Sequence, residues 1–173
     1  PVPEQAGIYL PYRPSRVIME DAPVHPTPLV ESVAMGSVAA PVAKARPLLP
    51  VNWQEGKLLS AAQCETLVYA CEAFARDLPG QFRPSQQGTT VELAEDGHSY
   101  RQGFFLGDGT GAGKGRQIAG VMMDRWLSGE RRHIWITKNE ALLEDARRDW
   151  EALGGLTLDI QPLSRWKLGT PVT

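Results

Sequence analysis

The sequence predicts an α/β fold: three layers built on a parallel sheet, preceded by an extended proline-rich arm. Two observations predict it. From residue 103 onward, apolar runs alternate with runs of helical period in the order β-α-β-α-β, which implies a parallel sheet with right-handed crossovers. Ten of the fourteen prolines lie within residues 1–50, where long periodic stretches are few. We therefore divide the 173 residues into an arm, 1–55, and a folded body, 56–173.

The arm is expected to pack on the body, because it carries a set of large apolar side chains. We predict one short helix in it, around residues 29–38. The body begins with a helix at residues 60–77, where Cys64, Leu67, Val68, Cys71 and Phe74 recur at helical spacing. Ser60 and Gln63 form a capping box at its start.

Residues 79–102 are polar and are predicted as a loop with one short strand near residues 89–93. The regular part of the body then follows as five predicted elements. These are a strand at 104–106, a helix at 115–127, a strand at 133–137, a helix at 140–153 and a strand at 156–160. Paired small residues end the two helices, Ser128-Gly129 and Gly154-Gly155.

The turn between the first of these strands and its helix is rich in glycine. Six glycines fall within residues 103–115 and lead to Lys114. Glycines let backbone amides approach an anion, and the helix N-terminus and the ammonium group add positive charge. The segment therefore predicts a phosphate-binding loop, in which Lys114 contacts the β- and γ-phosphates. The alternative is a glycine-rich turn with a solvated lysine.

The loop departs twice from the usual pattern G-x-x-x-x-G-K-[ST]. Asp108 stands at the first position, and Gly115 stands where a hydroxyl normally ligates Mg²⁺. Thr110 brings a hydroxyl into the loop, but at the wrong register to replace it. The metal would need a water or a carboxylate instead, and we assign no metal ligand from the sequence.

Composition restricts the other classes of function. Hydrophobic residues make up 42% and charged residues 22% of the chain, as in soluble globular proteins, and the net charge is −2. This balance gives no overall electrostatic case for nucleic acid. No apolar run reaches the length of a membrane span, and the chain does not open on a signal peptide. Cys64 and Cys71 are read as buried small apolar residues in a reducing compartment.

Acidic residues for hydrolysis are missing at the expected place. An ATPase needs carboxylates to hold Mg²⁺ and to orient the attacking water, usually Asp-Glu after an apolar strand that follows the loop. The run at residues 17–21 has that pattern but precedes the loop, and Glu144-Asp145 falls on a helix face. Residues 137–140 match a guanine-specifying N-K-x-D only faintly. We expect nucleotide binding without efficient hydrolysis, and a fragment of a longer protein.

Several segments together resemble one family, the strawberry notch-like helicases. Residues 12–15 and 25–35 resemble the opening segments of that family, and residues 58–65 resemble the stretch before its ATPase core. The run GDGTGAGKGR at 107–116, with Ala119-Gly120, is similar to its motif I. A glycine after the lysine is expected in that family, and related remodelling ATPases carry an aspartate where Asp108 stands. The resemblance spans roughly residues 8–160.

The resemblance implies a superfamily 2 motor that acts on DNA with ATP and Mg²⁺. It implies two RecA-like lobes, of which this chain holds the first part of the first. The partners would be ATP, the remaining helicase lobe and, in the longer protein, DNA, with no membrane. The location would be intracellular, in a bacterial cytoplasm or a eukaryotic nucleus. The other hypothesis is a nucleotide-binding module without motor function, which docks a partner through its proline-rich arm.

Site residues follow from the same resemblance, each with a structural alternative. The loop would be the ATP-binding segment, and Lys114 the catalytic residue. Gln63 would read adenine, or only complete the capping box. Arg116 would meet a ligand or an acidic partner, or face solvent. The phosphate cradle comprises Asp108, Gly109, Thr110, Gly111, Ala112, Gly113, Lys114 and Gly115.

A second candidate site follows the strand at residues 133–137. Thr137, Lys138 and Asn139 are placed where the motor proteins contact the DNA backbone, although Thr137 or Asn139 could instead cap the next helix. The arginine pairs at residues 131–132 and 147–148 are read as solvated faces. The tryptophans of the body, Trp126, Trp135 and Trp150, are read as core residues.

Overall fold

The computed structural model describes residues 8–14, 17, 19, 21–50, 58–167, 169 and 171. Ser15, Ile18, Glu20 and the predicted boundary between residues 55 and 56 lie outside them. The strands are β1 Tyr9–Pro11, β2 Val30–Ser32, β3 Phe82–Pro84 and β4 Val91–Leu93. The helices are α1 Val33–Gly36, α2 Ala61–Phe74, α3 Lys114–Leu127 and α4 Leu142–Glu151, followed by 3₁₀ turns at Thr157–Asp159 and Leu163–Arg165.

The hydrophobic core lies where α2, α3 and α4 pack together. Leu67 of α2 and Ala119 of α3 are fully buried, and Trp150 of α4 is 4% exposed. Trp126 meets the Trp150 ring edge-on, with the ring centroids 5.9 Å apart. Trp126 and Trp135 are partly buried against this cluster, so the prediction that the three tryptophans belong to the core is confirmed.

Local signals place the ends of the three helices. Ser60 Oγ accepts from the Gln63 amide at 3.3 Å, and Gln63 Oε1 accepts from the Ser60 amide at 2.9 Å, which is the predicted capping box. Helix α3 ends at Leu127, directly before Ser128-Gly129. Helix α4 is shorter than predicted, because it begins at Leu142 with Ala141 as its N-cap and ends at Glu151.

Two small antiparallel hairpins lie outside this core. In the arm, β1 pairs with β2, with Leu10 opposite Glu31, and the short helix α1 follows within the predicted range. In the polar segment, β3 pairs with β4, with Arg83 opposite Glu92. Arg83 Nε donates to Glu92 Oε1 at 3.0 Å on an exposed surface.

Carboxylates of the helices hold the last part of the arm. Glu72 Oε2 accepts from the Lys44 and Ala45 amides, each at 2.9 Å. Asp124 is 2% exposed, and its Oδ1 accepts from the Leu48 amide at 2.6 Å. Since side chains on α2 and α3 satisfy these backbone donors, residues 44–48 have a fixed path over the body.

Asp124 also explains the state of the second cysteine. Its Oδ2 accepts from the Cys71 thiol at 3.2 Å and from Arg125 Nε at 2.7 Å. Burial, followed by the hydrogen bond to Asp124, raises the pKa of Cys71 to about 12. Burial raises the pKa of Cys64 to about 12 as well. Both cysteines are free and buried, as predicted, and neither is a reactive thiolate.

A third carboxylate, Glu65 of α2, contacts the beginning of the arm. Glu65 is 4% exposed, and the Tyr12 hydroxyl donates to its Oε2. Burial raises the pKa of Glu65 to about 6, because a desolvated carboxylate is disfavoured. The arm therefore contacts α2 near both ends of that helix.

The predicted parallel sheet is not formed within the described ranges, whose sheets are the two hairpins. Residues 104–106 and 133–137 are described, yet they form no ladder with each other. Phe105 is 90% exposed, Ile134 85% and Ile136 88%. A strand of a parallel sheet needs at least one neighbouring strand for its backbone hydrogen bonds and helices that cover both faces of the sheet. The apolar sequence of residues 104–106 and 133–137 does not by itself provide these neighbouring strands and helices.

The third predicted strand, at residues 156–160, is wrong, because a 3₁₀ turn occupies Thr157–Asp159. Asp159 Oδ2 accepts from the Leu156 amide and from Trp150 Nε1, both at 2.9 Å. This carboxylate folds the chain back against α4 and prevents an extended path. Gly155 allows the close approach, since a Cβ there would overlap the Trp150 indole. No described helix is long and apolar enough to cross a membrane.

Candidate functional site

The glycine-rich loop turns directly into α3, as the phosphate-loop prediction requires. Gly113 is the N-cap of α3 and lies in the left-handed region at φ +74°, and Gly111 has φ +91°. Residues with a Cβ rarely adopt this conformation, so glycine is required at both positions. A Cβ on Gly113 would also overlap Gln63 Nε2. The loop therefore needs its glycines for backbone conformation and for close packing.

Buried amide side chains fix the loop from below. Ala112 is 7% exposed, and its carbonyl accepts from Gln63 Nε2 at 3.3 Å and from Gln117 Nε2 at 3.2 Å. Gln117 Nε2 also donates to Asp108 Oδ2 at 3.0 Å. The Ala112 end of the loop is therefore tied to both α2 and α3, and the Asp108 end is tied to α3.

The donors of the loop remain available on its other side. Within the described part of the chain, the amides of Gly111, Gly113, Lys114 and Gly115 donate to no acceptor. The first intrahelical bond of α3 runs from the Gln117 amide to the Gly113 carbonyl, at 3.2 Å. Free amides at the start of a helix and in a left-handed turn form a concave site for an anion.

Lys114 adds a positive charge to this site. Its Nζ donates to the Asp108 carbonyl at 2.8 Å and to the Gly109 carbonyl at 2.9 Å. The ammonium group is thus held over the loop by two neutral acceptors, and no carboxylate among the described residues pairs with it. A phosphate oxygen would be a stronger acceptor than either carbonyl, because the hydrogen bond would join two charged groups.

Arg116 and Asp149 lie beside the loop. Arg116 Nη1 donates to the Leu58 carbonyl at 3.1 Å, and its Nε lies 3.5 Å from Asp149 Oδ1. This gives the cation in the first turn of α3 an acidic partner, one of the two roles predicted for it. On the opposite oxygen, Asp149 Oδ2 lies so close to Gly115 that a Cβ on that glycine would overlap it.

A cavity of about 320 Å³ lies against these residues. Its other wall is the arm at residues 23–27, which the Pro23 carbonyl fastens to α2 by accepting from the Ala61 amide at 2.8 Å. The arm therefore forms part of the candidate site. The lining residues on the body include Ser60, Gln63, Gly111, Gly113, Arg116 and Asp149.

A larger hollow of about 490 Å³ lies against the β3–β4 hairpin, at residues 80–81 and 93–95. Its described lining residues include neither a helix N-terminus nor a cationic side chain. The smaller cavity is therefore the better candidate for an anionic ligand, because only that one adjoins the free amides of the loop.

Gln63 keeps both of its predicted roles open. Its Oε1 completes the capping box and its Nε2 contacts the Ala112 carbonyl, so both ends of the amide have partners. The residue is 9% exposed and also lines the cavity. Gln63 therefore links the start of α2 to the phosphate loop.

The second candidate site lies at the surface before α4. Lys138 and Asn139 are exposed, and Thr137 Oγ1 donates to the Asn139 carbonyl at 2.8 Å. The alternative that Thr137 or Asn139 caps α4 is wrong, because the N-cap is Ala141 and no side chain accepts from the first turn. No described contact joins these three residues to the loop.

Charged side chains of α4 form ion pairs with each other. Arg147 pairs with Glu144, and Arg148 pairs with Asp145, each at 2.6 Å. The prediction of a solvated face is wrong for Arg147, whose side chain is only 18% exposed, whereas the side chains of Glu144, Asp145 and Arg148 are 51–75% exposed. This confirms that Glu144-Asp145 belongs to a solvated helix face. The Arg131 guanidinium lies over the Trp126 ring, 4.7 Å from its centroid.

Sequence reasoning missed three contributors to the site: Gln117, Asp149 and the arm at residues 23–27. Gln117 stands one helical turn after Lys114, which is a usable signal for a residue on the same face. Asp149 is 34 positions beyond Gly115 and gives no local signal. Only the packing of α4 on α3 brings it to the loop.

Comparison with known proteins identifies the family of this chain. Residues 24–173 match the family described as P-loop containing NTP hydrolase pore-1. The chain belongs to this family. It is a strawberry notch-like P-loop domain, as the resemblance of its motifs indicated. Membership of a P-loop NTPase family supports the predicted α/β class, whereas the parallel sheet is not confirmed.

Three curated relatives show how much of a longer protein is covered. Protein FORGETTER 1 of Arabidopsis thaliana is 34% identical over 91% of this chain and 11% of its own length. Protein strawberry notch of Drosophila melanogaster is 30% identical over 95% of this chain and 9% of its length. The homolog of Caenorhabditis elegans is 29% identical over 94% and 8%. The P-loop domain thus spans about a tenth of these relatives, and no solved structure matches it.

Proposed function

We propose that this P-loop domain is the ATP-binding part of a superfamily 2 DNA helicase or translocase motor. The observation that carries the proposal is the concave set of free amides at Gly111, Gly113, Lys114 and Gly115, with the Lys114 ammonium held over it. A triphosphate presents oxygens to amides and ammonium together, which is the chemistry that this arrangement suits.

Nucleotide binding would exchange partners within the loop. Lys114 would release the carbonyls of Asp108 and Gly109 and donate to oxygens of the β- and γ-phosphates. Thr110 and the amides of residues 109–115 would surround the phosphates, while Gln117 keeps Asp108 and Ala112 in place. Bound Mg²⁺ would neutralise part of the phosphate charge. The described residues contain no cluster of three or more His, Cys, Asp or Glu that would hold a metal without the nucleotide.

The base would lie in the cavity between the loop and the arm. About 320 Å³ is at the lower end of the size of small-molecule sites. Gln63 lines it, and the 3.3 Å bond of its Nε2 to Ala112 is long enough to be exchanged for a bond to a base. An amide that both donates and accepts matches the N6 and N7 edge of adenine.

Motor function would depend on parts of the longer protein. The exposed apolar segments at 104–106 and 133–137 would become strands of the RecA-like sheet once neighbouring strands pair with them. Thr137, Lys138 and Asn139 would then contact the DNA backbone through hydroxyl, ammonium and amide groups. The acidic residues for hydrolysis would come from the same neighbouring part, so the domain alone would turn over ATP very slowly.

A titration of the 173-residue chain with a fluorescent ATP analogue and Mg²⁺ tests the proposal. We expect saturable binding that ATP displaces and GTP does not, and loss of that binding in Lys114→Ala. Lys138→Ala is the matched control, because it removes an ammonium from the exposed second site and should leave nucleotide affinity unchanged. Absence of binding up to millimolar nucleotide would contradict the proposal.

The alternative is a module without motor function that docks a protein through its arm. The exposed apolar residues Met35, Val38 and Val42 of the arm would then carry the interaction. In that case a partner captured by the chain would remain bound to Lys114→Ala and would be lost after substitution of these three side chains. The motor proposal instead expects ATP binding to be lost in Lys114→Ala and to be kept after substitution of these three side chains.

A further inference from the structure

We propose that Asp149 supplies the protein ligand for the Mg²⁺ of the bound nucleotide, in place of the hydroxyl that the usual phosphate loop carries after its lysine. The inference rests on the proposed function, since the metal would arrive with the nucleotide. It assigns a role to a residue of α4 that lies outside the loop and outside its sequence motif.

The first argument is the space that the carboxylate occupies. Gly115 follows Lys114 and has no side chain, whereas the usual pattern has Ser or Thr at that position. Asp149 Oδ2 lies next to the position that the Cβ of such a residue would take, close enough that a Cβ built on Gly115 would overlap it. An oxygen from α4 thus stands beside the first turn of α3, where the missing hydroxyl would have started.

The second argument is that this carboxylate is largely buried and forms two long ion pairs, but accepts no hydrogen bond from a described residue. Its side chain is only 13% exposed. Arg116 Nε lies 3.5 Å from Oδ1 and Arg148 Nη2 lies 3.8 Å from Oδ2, and both distances exceed those of charged hydrogen bonds. No described residue donates a hydrogen bond to either oxygen, and Arg116 Nε itself has no hydrogen-bond partner. Lone pairs therefore remain for a metal.

The third argument is that α4 holds Asp149 at this position. The neighbouring Trp150 is 4% exposed, and Ala146, one turn earlier, is 3% exposed, so this face of the helix is packed in the core. The Trp150 indole is further tied to Asp159 at 2.9 Å. Asp149 also lines the same cavity as Gly111 and Gly113. Mg²⁺ in nucleotide sites is usually held by one or two carboxylates together with phosphate oxygens.

A charge argument gives this role a specific signature. Without metal, a carboxylate beside the phosphates repels them, and with metal it attracts the bound cation. Asp149→Asn should therefore strengthen binding of the ATP analogue in EDTA and weaken it in Mg²⁺. We expect the ratio of the two affinities to fall about tenfold or more relative to the wild-type chain. A residue with only a structural role would weaken binding equally in both conditions.

The experiment is a pair of titrations of the 173-residue chain with the ATP analogue, in EDTA and in excess Mg²⁺. Glu151→Gln is the matched control, because Glu151 is exposed on the same helix and forms no ion pair with the described residues. It should keep the wild-type ratio. Thermal melting by circular dichroism accompanies each variant, so that a loss of fold is recognised.

A second variant keeps the test decisive if Asp149→Asn unfolds the chain. Gly115→Ser combined with Asp149→Ala places a hydroxyl in the space that the carboxylate vacates, and it should recover part of the Mg²⁺ dependence that Asp149→Ala alone loses. An unchanged affinity ratio in Asp149→Asn, or no recovery in the double variant, would overturn the inference. If the wild-type chain binds nucleotide in neither condition, the proposed function falls and this inference with it.

Discussion

Two regions of the domain have similarly apolar sequences but differ in how deeply their side chains are buried. In the three-helix core, Leu67, Ala119 and Leu153 are fully buried. In the predicted strands, Phe105 and Ile136 are 90% and 88% exposed. The helices satisfy their own backbone groups and need only one packed face, whereas a strand depends on partners elsewhere in the chain. The phosphate loop lies between the predicted strand at 104–106 and α3. Its conformation is fixed by hydrogen bonds to side chains of α2 and α3.

The largest expected difference between the regions is in the cost of truncating an apolar side chain. Leu67→Ala should lower the free energy of unfolding by about 2–5 kcal/mol, because it opens a cavity between α2 and α3. Phe105→Ala should change it by less than about 0.5 kcal/mol, as is usual at exposed positions. Urea denaturation of the two variants measures both values. Similar losses in the two would show that residues 104–106 are packed in solution.

A smaller effect comes from the carboxyl group that α2 buries. Burial raises the pKa of Glu65 from 4.5 to about 6, so the protonated form is favoured in the folded state. Its contribution to stability is present in full below about pH 4.5 and is lost as the pH rises through 6. From the size of the shift, the free energy of unfolding should fall by about 2 kcal/mol relative to Glu65→Gln between pH 4 and pH 7.

Urea denaturation at a series of pH values checks the Glu65 prediction. Glutamine keeps an acceptor for the Tyr12 hydroxyl and cannot titrate, so it isolates the effect of the charge. Parallel curves for the two proteins across this pH range would mean that water reaches Glu65, and that the core is looser around α2 than around the rest of the helices.

The smallest effect distinguishes a helix start that the sequence specifies from one that it does not. Ser60→Ala removes the cap of α2 and should cost about 1 kcal/mol of stability. Thr137→Ala is the matched control, because Thr137 was a candidate cap for α4 but bonds to the Asn139 carbonyl instead. Its replacement should cost less than about 0.5 kcal/mol. Equal losses in thermal melts would contradict the assignment of the caps.

Sequence predictions succeeded mostly where the interacting residues are close together in the chain. The capping box at Ser60, the period of α2 and the glycines of the loop act over a few residues, so they were readable. Two features depend instead on how the helices pack: the contact between Asp149 and Gly115, and the path of the arm at residues 23–27. No local sequence pattern indicates either of them. The strand predicted at 156–160 is not formed, because the Asp159 carboxylate accepts a hydrogen bond from the Leu156 amide.

The most direct test of the account is to observe the loop amides themselves. In a ¹H–¹⁵N correlation spectrum of the labelled chain, ATP with Mg²⁺ should shift the amide resonances of Gly111, Gly113 and Gly115. The shifts should saturate together at one dissociation constant, because the three groups would donate to the same phosphate chain. If these resonances stay in place at millimolar nucleotide while others move, or if none moves, the loop does not bind the triphosphate and the central claim is wrong.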